Sequence, residues 1–453
     1  MAGSSGRNLK WWELAKRQTG LSSDQKHPFQ IQRESIPIVL VPGIMGSKLR
    51  KTSGKKSIFS PTGDIASWIF LGPSSRRRRL LGKQAFTPSY LEPKVEDGDK
   101  KGWSGLFTSA YAPFLEYIEA SDFGKLAPIF SFPAYAAPYN WTASNKTSGE
   151  KLAARVDEVM SIEREAGLIC DRAIILTHSM GGLVTRGALA NNGLEGKSLG
   201  VIHTVMPTVG APQSYVTVKK GGSFPISIYQ GGSPKHTVPL IGNAPGPLEL
   251  LPTNDFRTND GDADWLKELK DDGKPGESFP KTDDVYSEIY LNRKNLERLL
   301  DPDLLGAGYK ASSPRAPDPW DLYVENINVA KSYHAGVGMK KHATTALVYG
   351  KGTGHKTYDR VEFEVGTPNW FMRTFVGAPE ERMEIEKPKG SGDGTVPEAS
   401  AAVFEKDLAA SDVLAVTNVE HQPALNNGGI RTFILTQIKM MAEAWRDERL
   451  SSS

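Results

Sequence analysis

An α/β architecture, a mostly parallel central sheet with helices on both faces, is predicted by three observations. Short aliphatic runs alternate with segments of helical periodicity, the first run closes on a Pro-Gly turn, and a small polar residue, Ser179, stands at one strand-to-helix junction. "IPIVLVPG", from Ile36, has the pattern of a buried strand ending in a turn. "AYAAPYNW", residues 134–141, reads as a second strand end followed by a loop. "TSGEKLAARVDEVMSIEREAGL" then offers Thr147 or Ser148 as N-cap and sets Leu152, Val156, Val159 and Met160 at helical spacing. "RAIILTH" is a strand, "MGGLVTRGALANN" a helix and "LGVIHTVMP" the next strand. After a long break the rhythm resumes at "ATTALVYG" and "DVLAVTN", and a helix over about 430–445 closes the chain.

Two stretches, about 60–125 and 215–340, interrupt this order and are rich in Gly, Pro and charge. Long excursions within a compact domain commonly serve as lids or caps. The expected organisation is an N-terminal extension over 1–34 and one domain over 35–453, interrupted by a lid insertion at 60–125 and a cap insertion at 215–340.

A formal net charge of +3 gives no reason to expect a nucleic-acid partner. The single cysteine, Cys170, excludes an intramolecular disulfide, so packing must supply the stability. The start, "MAGSSGRNLKWWELAKRQTG", lacks the apolar core of a secretory signal, and no apolar run reaches the roughly 18 residues that span a bilayer. The expectation is cytoplasmic synthesis without a cleaved signal, in which case the sequons at Asn140 and Asn145 go unused. No metal or cofactor is expected. "NDGDADW" alternates Asp260, Asp262 and Asp264 as a calcium loop would, but Trp265 stands where that loop turns on glycine. "GKGTG" at 350–354 lacks the spacing of a phosphate loop and reads as a turn.

The chemistry concentrates at "ILTHSMGGLVTRGA", residues 174–187. A serine hydroxyl must be exposed, deprotonated and matched by oxyanion donors before it can act as a nucleophile. A sharp strand-to-helix turn lifts it clear of the sheet and aims the first helical amides at the developing charge, with small residues two before and two after. Thr177 and Gly181 occupy those positions around Ser179, with Thr replacing the first glycine of the usual pattern. His178 points to the opposite face of the strand and is read as core rather than as the base. In a strand–elbow–helix site of this kind the acid and then the base follow the serine in the chain. Asp393 sits in the glycine-flanked turn "GSGDGTVPEAS", with Glu398 as the fallback acid. Of eight histidines only His421 lies beyond Asp393. The candidate triad is therefore Ser179, Asp393 and His421. "VPGIMGS" offers a second oxyanion donor, the amide of Met45 or Ile44, beside that of Met180.

Together, "IVLVPGIMGSKL", "APYNW", "HSMGGLV" and "GDGTVP" followed by a late histidine resemble the lecithin:cholesterol acyltransferase family of α/β-hydrolases. That family includes lysosomal phospholipase A2 and bacterial lipase-like relatives. The resemblance implies an α/β-hydrolase fold, Ser179 as nucleophile, Asp393 as acid, His421 as base, and Met45 with Met180 as oxyanion donors. It also implies acyl esters of lipids as substrates. Members often carry "PYDWR", so Asn140 and Thr142 depart from the pattern, and the lack of a second cysteine resembles the bacterial branch. Some lipase-like toxins that bacteria inject into competitors similarly lack a signal peptide. That precedent suggests delivery by a signal-independent route and an inhibitory protein partner of unknown identity.

"SWIFLGPSSRRRRLLG" joins Trp68, Ile69, Phe70 and Leu71 to Arg76–Arg79, and "NWFMRTF" adds Trp370, Phe371, Met372 and Phe375. Alone, these residues fit equally a lid that touches a bilayer and a solvated basic turn beside core aromatics. With the resemblance, contact with a lipid surface is expected. Two other functions remain in view: a lipid acyltransferase on the same machinery, and a silent lipid-binding protein on a hydrolase scaffold.

Overall fold

The computed structural model describes residues 33–60, 71–81, 91–221, 233–270, 273–309, 317–366 and 382–451. The strands that position the site are, in chain order, β1 (Ile38–Val41), β2 (Ala134–Ala136), β3 (Ala173–His178), β4 (Ser198–Thr204), β5 (Leu266–Leu269), β6 (Pro275–Phe279), β7 (Thr345–Lys351), β8 (Val361–Gly366), β9 (Arg382–Ile385) and β10 (Val413–Thr417). The longer helices include α1 (Pro73–Leu81), α2 (Thr108–Glu119), α3 (Asn145–Glu165), α4 (Gly181–Asn191), α5 (Pro234–Ile241), α6 (Pro319–Val337) and α7 (Gly428–Ser451).

The central sheet runs β10-β7-β4-β3-β1-β2, every pair parallel. Its aliphatic runs are unbroken because both faces are covered. Along β1, Val39 and Val41 pack with Leu152 and Val156 of α3 and Leu183 and Val184 of α4. Ile38 and Leu40 face the other way, against Phe114 and Ile118 of α2 and Ile430, Ile434 and Ile438 of α7. Strand alternation thus divides one aliphatic run between two cores. Each fully buried aliphatic contributes about 1.5–3 kcal/mol.

Three features depart from the sequence reading. The N-cap of α3 is Ser144, whose hydroxyl accepts from the Lys146 amide, rather than Thr147 or Ser148. The buried Glu249 carboxylate decides this start, accepting from the Ser144 hydroxyl and the Asn145 amide, both at 2.6 Å. Secondly, the end of the 60–125 stretch is core structure, since α2 supplies one layer of the fold. Thirdly, a second sheet, ordered β6-β5-β8-β9, draws two strands from 361–385, beyond the 215–340 stretch. It encloses its own apolar cluster around Phe256, Trp265, Tyr290 and Tyr323.

Helices α3 and α4 meet backbone to backbone at Gly149, where an added Cβ would lie 2.7 Å from the Ala188 nitrogen and 3.0 Å from the Val184 oxygen. Alanine gains about 1 kcal/mol of helix propensity over glycine, but the clash is with backbone, and overpacking typically costs about 1–3 kcal/mol. Gly149→Ala is therefore expected to lower stability, read as a lower urea midpoint with an unchanged slope.

Candidate active site

Ser179 follows β3 directly at φ 54, and α4 begins at Gly181. The left-handed conformation costs a non-glycine residue about 1–2 kcal/mol, so something must hold it. The Ser179 amide donates to the Thr204 carbonyl at the end of β4, 2.9 Å away. On the other side, the Gly181 backbone lies against β1's exit: a Cβ there would sit 2.3 Å from the Val41 oxygen and 2.6 Å from that of Pro42. Thr177 fits where glycine is usual because its hydroxyl turns toward β4, 2.9 Å from His203 Nδ1.

The loop after β1 rests on this elbow. A Cβ at Gly43 would lie 3.0 Å from the Ser179 Cβ. Residues 43–46 form a tight turn closed by the Gly46 amide on the Gly43 carbonyl, with Met45 at φ 60. Met180, the other expected oxyanion donor, opens α4, where first-turn amides lack intrahelical acceptors.

The structure brings Ser179, His421 and Asp393 together, although 242 positions separate the serine from the histidine. His421 Nε2 is 2.9 Å from Ser179 Oγ, and His421 Nδ1 is 2.8 Å from Asp393 Oδ2. Asp393 Oδ1 accepts from the Thr395 and Val396 amides, at 2.9 and 2.7 Å. Both carboxylate oxygens are thus engaged, and the carboxylate cannot rotate without losing a partner. Asp393 reaches β7 by close packing at Gly350, where an added Cβ would lie 2.7 Å from its own Cβ. All three side chains are buried. The arrangement can draw the serine proton onto an imidazole whose other nitrogen is fixed as a donor. Glu398 is engaged elsewhere, accepting from the Ser391 hydroxyl.

His178 lies in the core beside this group. Tyr111 Oη is 3.1 Å from its Nδ1, and its Nε2 is 3.0 Å from the His421 carbonyl. Burial, and then the neighbouring His421, pushes the His178 imidazole down to about 4. No local signal in the sequence marks Tyr111, which sits on α2.

Trp68, Ile69, Phe70, Trp370, Phe371, Met372 and Phe375 lie outside the described residues. The arginine run does not form the solvent-facing patch expected of it. Arg76 and Arg77 are buried, with Nε of each donating to the Leu71 and Ala307 carbonyls respectively, and Arg79 Nε donates to Ile58; Arg78 is exposed. Backbone carbonyls near α1 claim guanidinium groups that composition alone assigns to solvent. Asn140 and Thr142 form a local clasp, Asn140 Oδ1 accepting from the Thr142 amide and hydroxyl. In the acidic loop, Lys267 pairs with Asp262 and Asp264, and Arg360 with Asp260 and Asp262. "GKGTG" is a turn against the neighbouring loops, Gly352 donating to Ser391 Oγ and Gly354 to Asn418 Oδ1.

A narrow cleft lined by Ile44, Met45, Phe59, Leu80, Trp141 and Leu240, among others all apolar, adjoins the loop after β1. A cavity of about 400 Å³ at the opposite pole, walled by Arg172, Glu195, His342 and Trp445, lies near the amino ends of β4 and β7. Open parallel sheets bind ligands at the carboxyl ends of their strands, which is where Ser179 stands.

No family model matches the chain, and no curated relative matches it. One chain of the crystal structure of a Tle4–Tli4 complex is similar at a TM-score of 0.76 and 20% identity, covering 91% of this chain and 99% of that one. A Bacillus licheniformis lipase, BlEst2 in mature form, aligns at a TM-score of 0.33 and 14% identity, covering 91% and 94%. The first likeness is one of fold, and with the sheet described above the fold is that of the α/β-hydrolases.

Gly181→Ala would drive a methyl group into two backbone carbonyls and separate the elbow from the loop that carries Met45. The expected outcome is a loss of about 1–3 kcal/mol, read as a lower melting temperature, whereas alanine at the exposed Gly196, with nothing within 4 Å of its added Cβ, leaves the melt unchanged.

Proposed function

We propose that the protein is a serine esterase cleaving acyl esters of lipids, as a lipase or phospholipase A does, through an acyl-enzyme on Ser179. The hydrogen-bonded series Ser179–His421–Asp393 at a strained strand-to-helix elbow carries this reading. In the proposed reaction His421 Nε2 takes the Ser179 proton as Oγ attacks the ester carbonyl carbon. Asp393 accepts from Nδ1–H and stabilises the imidazolium, and the Met180 and Met45 amides receive the oxyanion. The imidazolium returns its proton to the departing alcohol as the acyl–oxygen bond breaks. Water, deprotonated by the same nitrogen, then attacks the acyl-serine and restores the hydroxyl. No metal or cofactor enters these steps.

Lipid rather than a small soluble ester is supported by the apolar cleft beside Met45 and by the family resemblance of the motifs. Among the described residues no helix is long and apolar enough to cross a membrane, so the proposed contact with a lipid surface is peripheral. The similar fold occurs in a two-protein complex. This supports extending the proposal to an enzyme restrained by a protein partner, the arrangement expected above of a lipase-like toxin.

Purified enzyme incubated with a panel of phospholipids and neutral glycerides is expected to release fatty acids and lysolipids. Ser179→Ala should abolish release and fluorophosphonate labelling while the circular dichroism spectrum stays native; retained turnover sinks the mechanism. Asp393→Asn should reduce kcat by about 10⁴-fold, because the amide favours the wrong tautomer of His421. An added alcohol acceptor, with products weighed by mass spectrometry, separates hydrolysis from acyl transfer.

A further inference from the structure

Under the two loops of the proposed site runs a buried series of hydrogen bonds that the reaction does not use directly. The Gly43 amide donates to Tyr111 Oη at 2.9 Å, so the Tyr111 hydroxyl proton is left for His178 Nδ1 at 3.1 Å. Nδ1 is then an acceptor, which puts the His178 proton on Nε2, 3.0 Å from the His421 carbonyl. The His421 amide in turn donates to the Asp393 carbonyl at 2.9 Å. The direction of each hydrogen bond follows from the one before it, and all these groups are buried. The series starts in the loop that carries the proposed oxyanion donor and ends in the loops that carry the proposed base and acid.

We propose that Tyr111 and His178 are positioning residues that tie the oxyanion loop to the base loop, setting the distance between the Met45 amide and His421 Nε2. The inference rests on the esterase reading and adds to it how the site is kept in register. Two loops that leave different strands have no covalent reason to keep a fixed separation, and a misplacement of about 1 Å can cost about 100-fold in rate. The bridge also needs an uncharged His178. Its ring centroid is 5.3 Å from that of His421, and a second positive charge there would oppose the imidazolium formed during turnover. Full burial holds His178 neutral to about pH 4.

The test compares Tyr111→Phe, His178→Gln and His178→Leu with the wild type, using a soluble chromogenic acyl ester and fluorophosphonate labelling, with melting curves for each. Tyr111→Phe keeps the ring and its packing but removes the hydroxyl, and is expected to lower kcat about 10- to 100-fold with KM within about twofold. Labelling of Ser179 should slow in parallel. Gln can still donate to the His421 carbonyl and Leu cannot, so His178→Gln should retain at least tenfold more kcat than His178→Leu. Wild-type kcat in Tyr111→Phe, or equal losses in the Gln and Leu variants, overturns the bridge while leaving the esterase intact. A wild type that neither labels nor turns over overturns both.

Discussion

The structure depends on one backbone constraint: Ser179 must hold a left-handed conformation at the end of β3. Two contacts enforce it, the Ser179 amide on the Thr204 carbonyl and the Gly181 backbone against the carbonyls of Val41 and Pro42. The elbow is thus gripped by both neighbouring strands. The strain is shared, since Met45, Val205 and Asn418 also have positive φ; Val205 and Asn418 follow the last residue of a central strand directly, and Met45 lies in the loop that leaves β1. For a β-branched residue such as Val205 this is an outlier, and its amide is held by the Val348 carbonyl. Unfavourable backbone gathers where strands end and loops must converge, and it persists because the surrounding sheet over-determines it.

That sheet can hold strain because both faces are packed. The layer of α3 and α4 fixes the helix behind the serine, and α4 itself is anchored at Arg186. This buried guanidinium donates to the carbonyls of Thr208, Gly338 and Lys340, joining the loop after β4 and the chain after α6 to the elbow's helix. Three carbonyl dipoles take the place of a carboxylate, and burial lowers the pKa of this arginine. The opposite layer has a double part: α2 packs through Phe114 and Ile118 and extends Tyr111 toward the site. A layer expected to be a lid is therefore a support.

The parallel strands and the elbow were legible in the sequence because their signals are local. A six-residue aliphatic strand, a serine and two glycines can be read in one window, and Asp393 and His421 follow from chain order once the serine is placed. Features set by distant partners were not legible. Ser144 rather than Thr147 or Ser148 caps α3 because Glu249, more than a hundred positions away, takes both the hydroxyl and the next amide. The arginines of α1 read as a surface patch until the carbonyls of Leu71 and Ala307 are known to lie within reach. Strands such as "LKEL" and "PGESF" escape notice because polar residues interrupt their apolar positions and most of their residues are only partly buried or exposed. Tyr111 has no signature at all, since its place beside the site depends on contact with a histidine 67 positions away.

His178 shows why adjacency in sequence is a poor guide to chemical role. It neighbours the serine, yet strand alternation turns its ring into the core and leaves the hydroxyl to a histidine 242 positions away. Two imidazoles thus stand within 5.3 Å of each other in different environments. One is fully enclosed, with each nitrogen committed to a single partner, and so is suited to remain uncharged. The other pairs through Nδ1 with a carboxylate and turns Nε2 to a hydroxyl. The same side chain, placed one peptide unit from the serine or brought to it from the far end of the chain, is divided by its partners between a core contact and the contact with the hydroxyl.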